Sequence, residues 1–265
     1  MNYFIDTHAH LNFKAFNDSY LSVAQKALEQ GIEAIVIPGS NLETSLAAVE
    51  RAQEINAKLN KKFAYSALGI HPVHENELNC FDDLEKIATP LPPTLVAIGE
   101  AGLDFFHDKD KKSQKTQMEL FNRHIDLAIK LDLPLICHNR DAGEEILEII
   151  ENRPMPTKTV FHCFSTNWRF AQAILEKGYY ISFTGNITYG NKDLKKVIKR
   201  APLERIMIET DSPLIVPEPL RSQGVKPNEP AYVIEIAKRI AQIKEISLDE
   251  VAAATTQNAK DFFSI

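Results

Sequence analysis

One pattern, repeated eight times, constrains the fold of this 265-residue chain more than any other feature: a short, largely apolar run followed by an amphipathic helix. The predicted strands span residues 3–8, 34–37, 63–68, 95–98, 134–138, 159–162, 179–183 and 205–209. The predicted helices span 19–30, 40–59, 81–88, 113–131, 167–177, 192–199 and 230–243, with another ending near 151 and a ninth at 247–263. Short connections between strands and helices imply parallel strands. Eight such units predict an α/β fold, a (β/α)8 TIM barrel, as a single domain over residues 1–265.

The alternative fold is an open, doubly wound sheet, which alternates strands and helices in the same way. No Gly-x-Gly-x-x-Gly motif follows any predicted strand, and this favours the barrel. Two local patterns mark helix starts, because Ser40 with Glu43 and Ser247 with Glu250 have the spacing of a capping box.

Composition limits the class of protein. The chain has no run of about 18 apolar residues, so we expect no membrane span, and no basic and apolar leader precedes the first strand. Three cysteines, Cys80, Cys137 and Cys163, are too few for a disulfide framework, and we therefore expect a cytoplasmic protein. The net charge of -6 argues against a protein that coats nucleic acid, although an enzyme could still bind a polyanion at one local patch.

His8 and His10 lie at the end of the first predicted strand. Side chains alternate along a strand, so residues two apart point to the same side, and two imidazoles placed there can bind one divalent ion. The His-x-His pattern is weak evidence alone, since a short strand with two ordinary histidines would have the same sequence.

Potential metal ligands end six of the eight predicted strands. Barrel active sites lie at these carboxyl ends, so the side chains should converge. Five of the eight histidines in the chain are among them, and such a cluster indicates a metal or catalytic site. The residues concerned are His8, His10, His71, Glu100, His138, His162 and Asp211.

Six of these residues are predicted to bind two divalent ions, since six ligands are too many for one tetrahedral ion. Two ions activate a water and stabilise both the attacking and the leaving oxygen of a displacement. Glu100 is the better candidate to bridge the ions, and Asp211 can take the proton of the water. Imidazole and carboxylate together favour zinc, manganese, cobalt or nickel over magnesium or calcium. The predicted ligands are His8, His10, Glu100, His138, His162 and Asp211.

Four residues near the predicted metal ligands are expected to bind substrate or to orient histidines. Arg140, two residues after His138, could bind two phosphate oxygens or could pair with a nearby carboxylate. We expect His71 to bind or protonate a leaving phosphate. Asp6 and Asp104 are expected to orient histidines.

Two cysteines and five cationic residues also lie near the predicted site in the sequence. Strand alternation should turn Cys137 and Cys163 away from the imidazoles, into the helix layer, so that the site contains only nitrogen and oxygen ligands. Cations after the fourth and eighth strands could attract phosphates at the mouth or could simply be solvated. These cations are Lys109, Lys111, Lys112, Arg221 and Lys226.

Six motifs, taken in order, resemble those of the TatD family of metal-dependent deoxyribonucleases, which are amidohydrolase-like barrels. The resemblance covers almost the whole chain, and it depends on all six motifs together. They are Asp-Thr-His-Ala-His-Leu (6–11), Gly-Ile-His-Pro (69–72), Gly-Glu-Ala-Gly-Leu-Asp (99–104), His-Asn-Arg-Asp-Ala (138–142), Phe-His-Cys-Phe-Ser (161–165) and Glu-Thr-Asp-Ser-Pro (209–213).

The resemblance implies a division of the ligands between the ions, with Glu100 bridging. It implies one ion at His8, His10, Glu100 and Asp211, and a second ion at Glu100, His138 and His162.

The resemblance also implies hydrolysis of phosphodiester bonds in DNA, usually assayed with magnesium. Since the ligand types favour softer ions, we expect the bound metal and the best assay metal to differ. The chain departs from the family pattern at Pro227, where an arginine is frequent, and this departure weakens the expectation of tight binding to the DNA backbone.

We therefore expect a cytoplasmic deoxyribonuclease that requires two divalent ions (magnesium, manganese or zinc), with DNA as its partner and exonuclease action favoured. The predicted catalytic residues are Asp211, Glu100 and His71, and His71 and Arg140 are predicted to bind substrate. One alternative is a hydrolase of carboxyl ester or amide bonds, such as the ester of an aminoacyl-tRNA, because the same activated water attacks a carbonyl. A second alternative is a metal-holding scaffold without catalysis.

Overall fold

The computed structural model describes residues 3–265, and its eight parallel strands follow one another around a barrel in chain order. The predicted TIM barrel is confirmed. The barrel closes between β1 and β8 through individual contacts of the segments that follow these strands, rather than through a continuous ladder. Ala9 forms a bridge with Ser212, and the Asp211 N–H donates to the His8 carbonyl at 2.9 Å. The strands are β1 Phe4–Asp6, β2 Ile32–Pro38, β3 Ala64–Leu68, β4 Leu95–Asp104, β5 Leu135–Arg140, β6 Thr159–Phe161, β7 Tyr180–Phe183 and β8 Ile206–Ile208.

Helices surround the barrel and bury their apolar faces against the outer side of the sheet. Among residues 3–265, no helix combines the length and the apolar character that crossing a membrane requires. The helices are α1 Tyr20–Glu29, α2 Leu42–Leu59, α3 Phe81–Ile87, α4 Lys111–Leu131, α5 Gly143–Asn152, α6 Trp168–Glu176, α7 Lys192–Arg200, α8 Val233–Lys244 and α9 Leu248–Phe263.

The last helix, α9, closes one end of the barrel. A capping box between Ser247 and Glu250 starts the helix, as the sequence predicts. Phe262 and Phe263, at its other end, are buried in the same cluster as strand residues such as Ile5 and Met207. Because side chains fill the barrel interior and this end, ligands reach the fold from the carboxyl ends of the strands.

The start of α2 differs from the prediction by one residue. The N-cap is Asn41 rather than Ser40, and its side chain accepts from the Thr44 N–H at 2.8 Å. Thr44 completes the capping box, because its hydroxyl accepts from the Asn41 N–H at 2.9 Å. Asparagine and serine are equally good caps, so the sequence alone could not choose between adjacent candidates.

The fourth strand is longer than predicted, and this places Glu100 inside a strand instead of at its end. β4 continues to Asp104 and pairs with β5 from Ala101 onward, after a register shift that begins at Ile98. Such an irregularity redirects side chains, often next to an active site. Gly102 permits the close pairing, since a Cβ there would lie 2.0 Å from the His138 carbonyl oxygen.

Candidate metal centre

A cavity of about 790 Å³ opens at the carboxyl ends of the strands. Five of the six predicted metal ligands line it, and the sixth, His8, is fully buried beside them. The other two predicted functional residues, His71 and Arg140, also line this cavity. The barrel therefore brings every predicted site residue to one place. The five lining ligands are His10, Glu100, His138, His162 and Asp211.

The first group of ligand atoms lies between β1 and the segment after β8. The Nε2 atoms of His8 and His10 are 3.2 Å apart, and Asp211 Oδ1 lies 3.7 Å and 3.3 Å from them. Glu100 Oε2 approaches the same two nitrogens at 3.4 Å and 3.7 Å. Nitrogen and oxygen atoms at such spacing can all bind one divalent cation.

The second group surrounds the other oxygen of Glu100. Glu100 Oε1 lies 2.7 Å from His162 Nε2 and 2.9 Å from His138 Nδ1, and these two nitrogens are 3.2 Å apart. Each oxygen of one carboxylate therefore faces a different group of imidazoles. In each group two imidazole nitrogens face each other, and a cation between them would accept the lone pairs of both. The residues present therefore fit two ions.

His71 lies closer to these groups than the sequence indicates. Its Nε2 is 3.2 Å from Glu100 Oε1, and its Nδ1 accepts from the Val73 N–H at 3.1 Å. Since Nδ1 accepts a hydrogen bond, the proton of the neutral ring is on Nε2 and faces Glu100 Oε1. Burial lowers the pKa of His71 to about 4, although the charge of Glu100 opposes this shift. His71 also forms a third ligand-type cluster with Asp104 and His138.

The carboxylates of the centre are held in their charged form. Burial alone would raise the pKa of Glu100, but the charges of His162 and His71 and hydrogen bonds from His138 and His162 hold it well below its ordinary value. For Asp211, burial is likewise outweighed by a hydrogen bond from His10 and by the charge of His8, so its pKa is lowered. Charged carboxylates are the form that binds metal.

The two aspartates expected to orient histidines behave differently. Asp104 contacts rings, since its Oδ2 lies 3.3 Å from His138 Nε2 and 2.8 Å from His107 Nδ1. Asp6 instead accepts from backbone and hydroxyl groups: from the N–H of His8 at 3.2 Å and from the N–H and hydroxyl of Thr210 at 2.9 and 2.5 Å. Asp6 therefore ties β1 to the segment after β8 and does not touch an imidazole ring.

Glu209 is a site residue that the sequence analysis missed. It is 1% exposed, and its Oε1 lies 3.4 Å from His162 Nδ1 and accepts from the Cys163 N–H at 2.6 Å. Its other oxygen accepts from the Ser182 hydroxyl at 2.6 Å. A carboxylate on the far nitrogen of a metal-binding histidine fixes the orientation of the ring. The available signal was an acid at the end of the eighth strand, two residues before Asp211.

The two cysteines near the centre lie in different places. Cys137 is fully buried in the core between sheet and helices, as predicted. The prediction for Cys163 was wrong, because this residue lines the cavity. β6 ends at Phe161 and Cys163 has a left-handed backbone with φ +44°, so strand alternation no longer applies. Among the described residues, no ligand-type cluster contains a cysteine.

Cations are present on the cavity side of the fold. The Arg140 guanidinium lies 4.0 Å above the centre of the Phe106 ring and, within residues 3–265, forms no ion pair with Asp104 or Asp141. Three exposed lysines occupy the loop after β4 and the first turn of α4, and no carboxylate in the described part of the chain pairs with them. The three residues are Lys109, Lys111 and Lys112.

Comparisons with known proteins match nearly the whole chain. A family model described as TatD related DNase matches residues 5–264. The uncharacterized metal-dependent hydrolase YabD of Bacillus subtilis is 38% identical over 98% of this chain and 98% of its own length. The uncharacterized metal-dependent hydrolase YcfH of Escherichia coli is 31% identical over 99% of this chain and 96% of its own length. The crystal structure of YjjV, a TatD homologue from Escherichia coli, superposes with a TM-score of 0.85 at 27% identity, covering 99% of this chain and 98% of the other.

Proposed function

Because the chain belongs to the TatD family of metal-dependent hydrolases, we propose that it hydrolyses phosphodiester bonds in DNA with the help of two divalent ions. The observation that carries this proposal is the position of Glu100, whose two carboxylate oxygens face two separate groups of imidazoles. When bound, two ions lower the pKa of a water and stabilise charge on the attacking and leaving oxygens. A scaffold without catalysis is disfavoured, because the similar proteins are named as hydrolases.

We assign the ligands as the two groups described above. The first ion would be held by His8, His10, Glu100 and Asp211, and the second by Glu100, His138 and His162. Magnesium, manganese and zinc are the candidate ions, with the nitrogen-rich donor set favouring manganese or zinc.

Asp211 is assigned as the base that takes the proton of the attacking water. Its carboxylate lines the cavity, and Oδ1 lies against the imidazoles of His8 and His10. The Asp211 N–H donates to the His8 carbonyl, which holds the carboxylate in place. As the water oxygen bonds to phosphorus, its proton passes to Asp211, and the bond to the leaving oxygen breaks.

His71 and Arg140 are assigned to bind the phosphate. The proton on His71 Nε2 faces Glu100 Oε1 in the cavity that both residues line, and with Glu100 bound to the ions it would be available to a phosphate oxygen. Within residues 3–265 the Arg140 guanidinium forms no ion pair with a carboxylate, and it can offer two N–H donors to the same phosphate. Both residues would position the substrate.

The decisive experiment is a metal reconstitution. The protein is stripped of metal, reloaded with magnesium, manganese or zinc, and assayed on linear and circular single-stranded DNA and on duplex DNA. Glu100→Ala is the test variant, and Glu33→Ala is the control, since Glu33 pairs with Lys260 and lies at the start of β2, at the opposite end of the strand from the cavity. We expect cleavage by wild type and control and none by Glu100→Ala. Equal cleavage by all three proteins would refute the mechanism.

Two additional substrates extend the same assay. Cleavage of linear but not circular DNA would support exonuclease action, which we favour. An aminoacyl ester, assayed in parallel, separates phosphodiester from carboxyl-ester hydrolysis. We also propose a cytoplasmic location, on the basis of the three free cysteines.

A further inference from the structure

A second groove, of about 840 Å³, adjoins the metal cavity on the side of β7 and β8. Leu214 and Ile215 line both spaces, so a chain-like substrate seated in the cavity can continue into this groove. We call it the outer groove. The residues that line it are Asn186, Tyr189, Pro213, Leu214, Ile215, Val216, Arg221, Val225, Lys226 and Pro227.

The outer groove contains a stacked aromatic and cationic pair. The Arg221 guanidinium lies 4.4 Å above the centre of the Tyr189 ring, and the Tyr189 hydroxyl donates to the Val216 carbonyl at 2.7 Å. This hydrogen bond holds the ring in one orientation, although the side chain is 40% exposed. An exposed flat surface that is already ordered binds another flat group with little loss of entropy.

The residues that line the outer groove include two cations, although the whole protein is acidic. Arg221 and Lys226 are both exposed, and within residues 3–265 neither forms an ion pair with a carboxylate. The nearest acidic influence is Glu218, whose pKa is lowered by hydrogen bonds from Ser222 and by the charge of Arg221. No acidic residue is among the residues that line the groove, while the chain as a whole carries a net charge of -6. A local positive potential of this kind attracts phosphate groups.

We propose that the outer groove binds the nucleotide next to the scissile phosphodiester. Its base stacks against Tyr189 and Arg221, and its phosphate binds at Lys226. Aromatic rings and guanidinium planes are the surfaces on which proteins stack unpaired bases, and neighbouring cations follow the backbone. The apolar side chains of Leu214 and Ile215 form the passage from the cavity to this stack. The proposal rests on the proposed function, because it concerns the same substrate.

The barrel also provides a matched control. Arg205 stacks over Tyr180 at 4.8 Å, but Tyr180 begins β7 and Arg205 immediately precedes β8, so this pair lies at the opposite end of the barrel. Replacing Arg205 removes the same kind of contact without touching the cavity side.

The test compares two substrates of the metal-loaded protein: methyl p-nitrophenyl phosphate, which has neither a neighbouring nucleotide nor a second aromatic ring, and a single-stranded tetranucleotide. Stacking of one base contributes about 1–3 kcal/mol, so Tyr189→Ala and Arg221→Ala should raise KM for the tetranucleotide about fivefold to 150-fold. Both variants should cleave the small diester like wild type, and Arg205→Ala should match wild type on both substrates. An unchanged KM for the tetranucleotide, or an equal loss on both substrates, would overturn the proposal.

A binding measurement separates this proposal from the proposed function. A fluorescent tetranucleotide is titrated with the Asp211→Asn protein, alone and combined with Tyr189→Ala or Arg205→Ala. Weaker binding of the tetranucleotide when Tyr189→Ala is added, but not when Arg205→Ala is added, supports the outer groove even if the wild type cleaves neither substrate. Equal binding by all three proteins overturns the proposal. Failure of the proposed function would instead appear as a wild type that cleaves neither DNA nor the small diester.

Discussion

His124 should make the stability of the protein depend on pH between neutrality and mild acid. The residue lies in α4 with no exposed surface, and both ring nitrogens are used. Nδ1 donates to the Leu120 carbonyl at 2.8 Å, and Nε2 accepts from the Ile70 N–H at 3.0 Å. Protonation would force Nε2 to give up this acceptor role. Burial lowers the pKa of His124 from 6.5 to about 4, while the hydrogen bond to Leu120 opposes the shift.

The direction of this pH dependence follows from which state, folded or unfolded, binds the proton. Between pH 6.5 and about 4 the unfolded chain protonates His124 and the folded chain does not, so the free energy of unfolding falls as the pH falls. The stabilising contribution is fully present above pH 6.5 and is lost as the pH falls through this window. With these two values, His124 alone lowers the free energy of unfolding by about 2 kcal/mol between about pH 7.5 and about pH 5.

The assay is urea denaturation of metal-depleted wild type and His124→Gln at the two pH values. Glutamine keeps an acceptor for the Ile70 N–H but does not titrate. Ionisations of the metal centre occur in both proteins and cancel in the comparison. We expect the wild type to lose about 2 kcal/mol more than the variant on acidification. An equal loss in the two proteins would show that the buried ring is not the proton-binding group.

Three other perturbations have defined outcomes. Glu209→Gln removes the charge that faces His162 and should weaken metal binding by about tenfold to 100-fold in a chelator competition, whereas unchanged affinity would contradict its positioning role. Arg140→Ala should raise KM for DNA by about tenfold without lowering kcat, and an unchanged KM would leave stacking on Phe106 as the only role of Arg140. Replacing the three exposed lysines near the start of α4 by alanine should weaken DNA binding and flatten its salt dependence, and an unchanged salt slope would exclude them from the DNA path. These lysines are Lys109, Lys111 and Lys112.

The barrel could be predicted because its signal repeats. Each strand and helix has a weak pattern of its own, but eight alternations leave few topologies. The convergence of the predicted metal ligands then followed from the fold, since the last side chains of all parallel strands lie at one end of the barrel. His8 and Asp211, which are far apart in sequence, could be placed together for this reason.

The sequence-based predictions were wrong at positions where contacts with residues distant in sequence override the local sequence pattern. Gly99 and Gly102 resemble the end of a strand, yet β4 continues past them because β5 pairs with its second half. Cys163 departs from strand alternation because the backbone turns left-handed after β6. Neither event depends on the residue types alone, and both change which side chains face the cavity.

The outer groove could not be predicted as a surface, although Arg221 and Lys226 were noticed as cations. Its shape depends on how the loop after β8 packs beside the turn that contains Tyr189. Loops have no periodic pattern that would position one side chain above another. The stack of Arg221 on Tyr189 is therefore visible only in three dimensions.

The seam between β1 and β8 also affects how the protein is made. Asp6 accepts from Thr210 across 204 residues of sequence, and the Asp211 N–H reaches the His8 carbonyl at the same seam. A growing chain cannot assemble the ligands proposed for the first ion until nearly four-fifths of it has left the ribosome. Binding of an ion at that proposed site would therefore follow barrel closure, and the ion would link the two ends of the sheet that are distant in sequence.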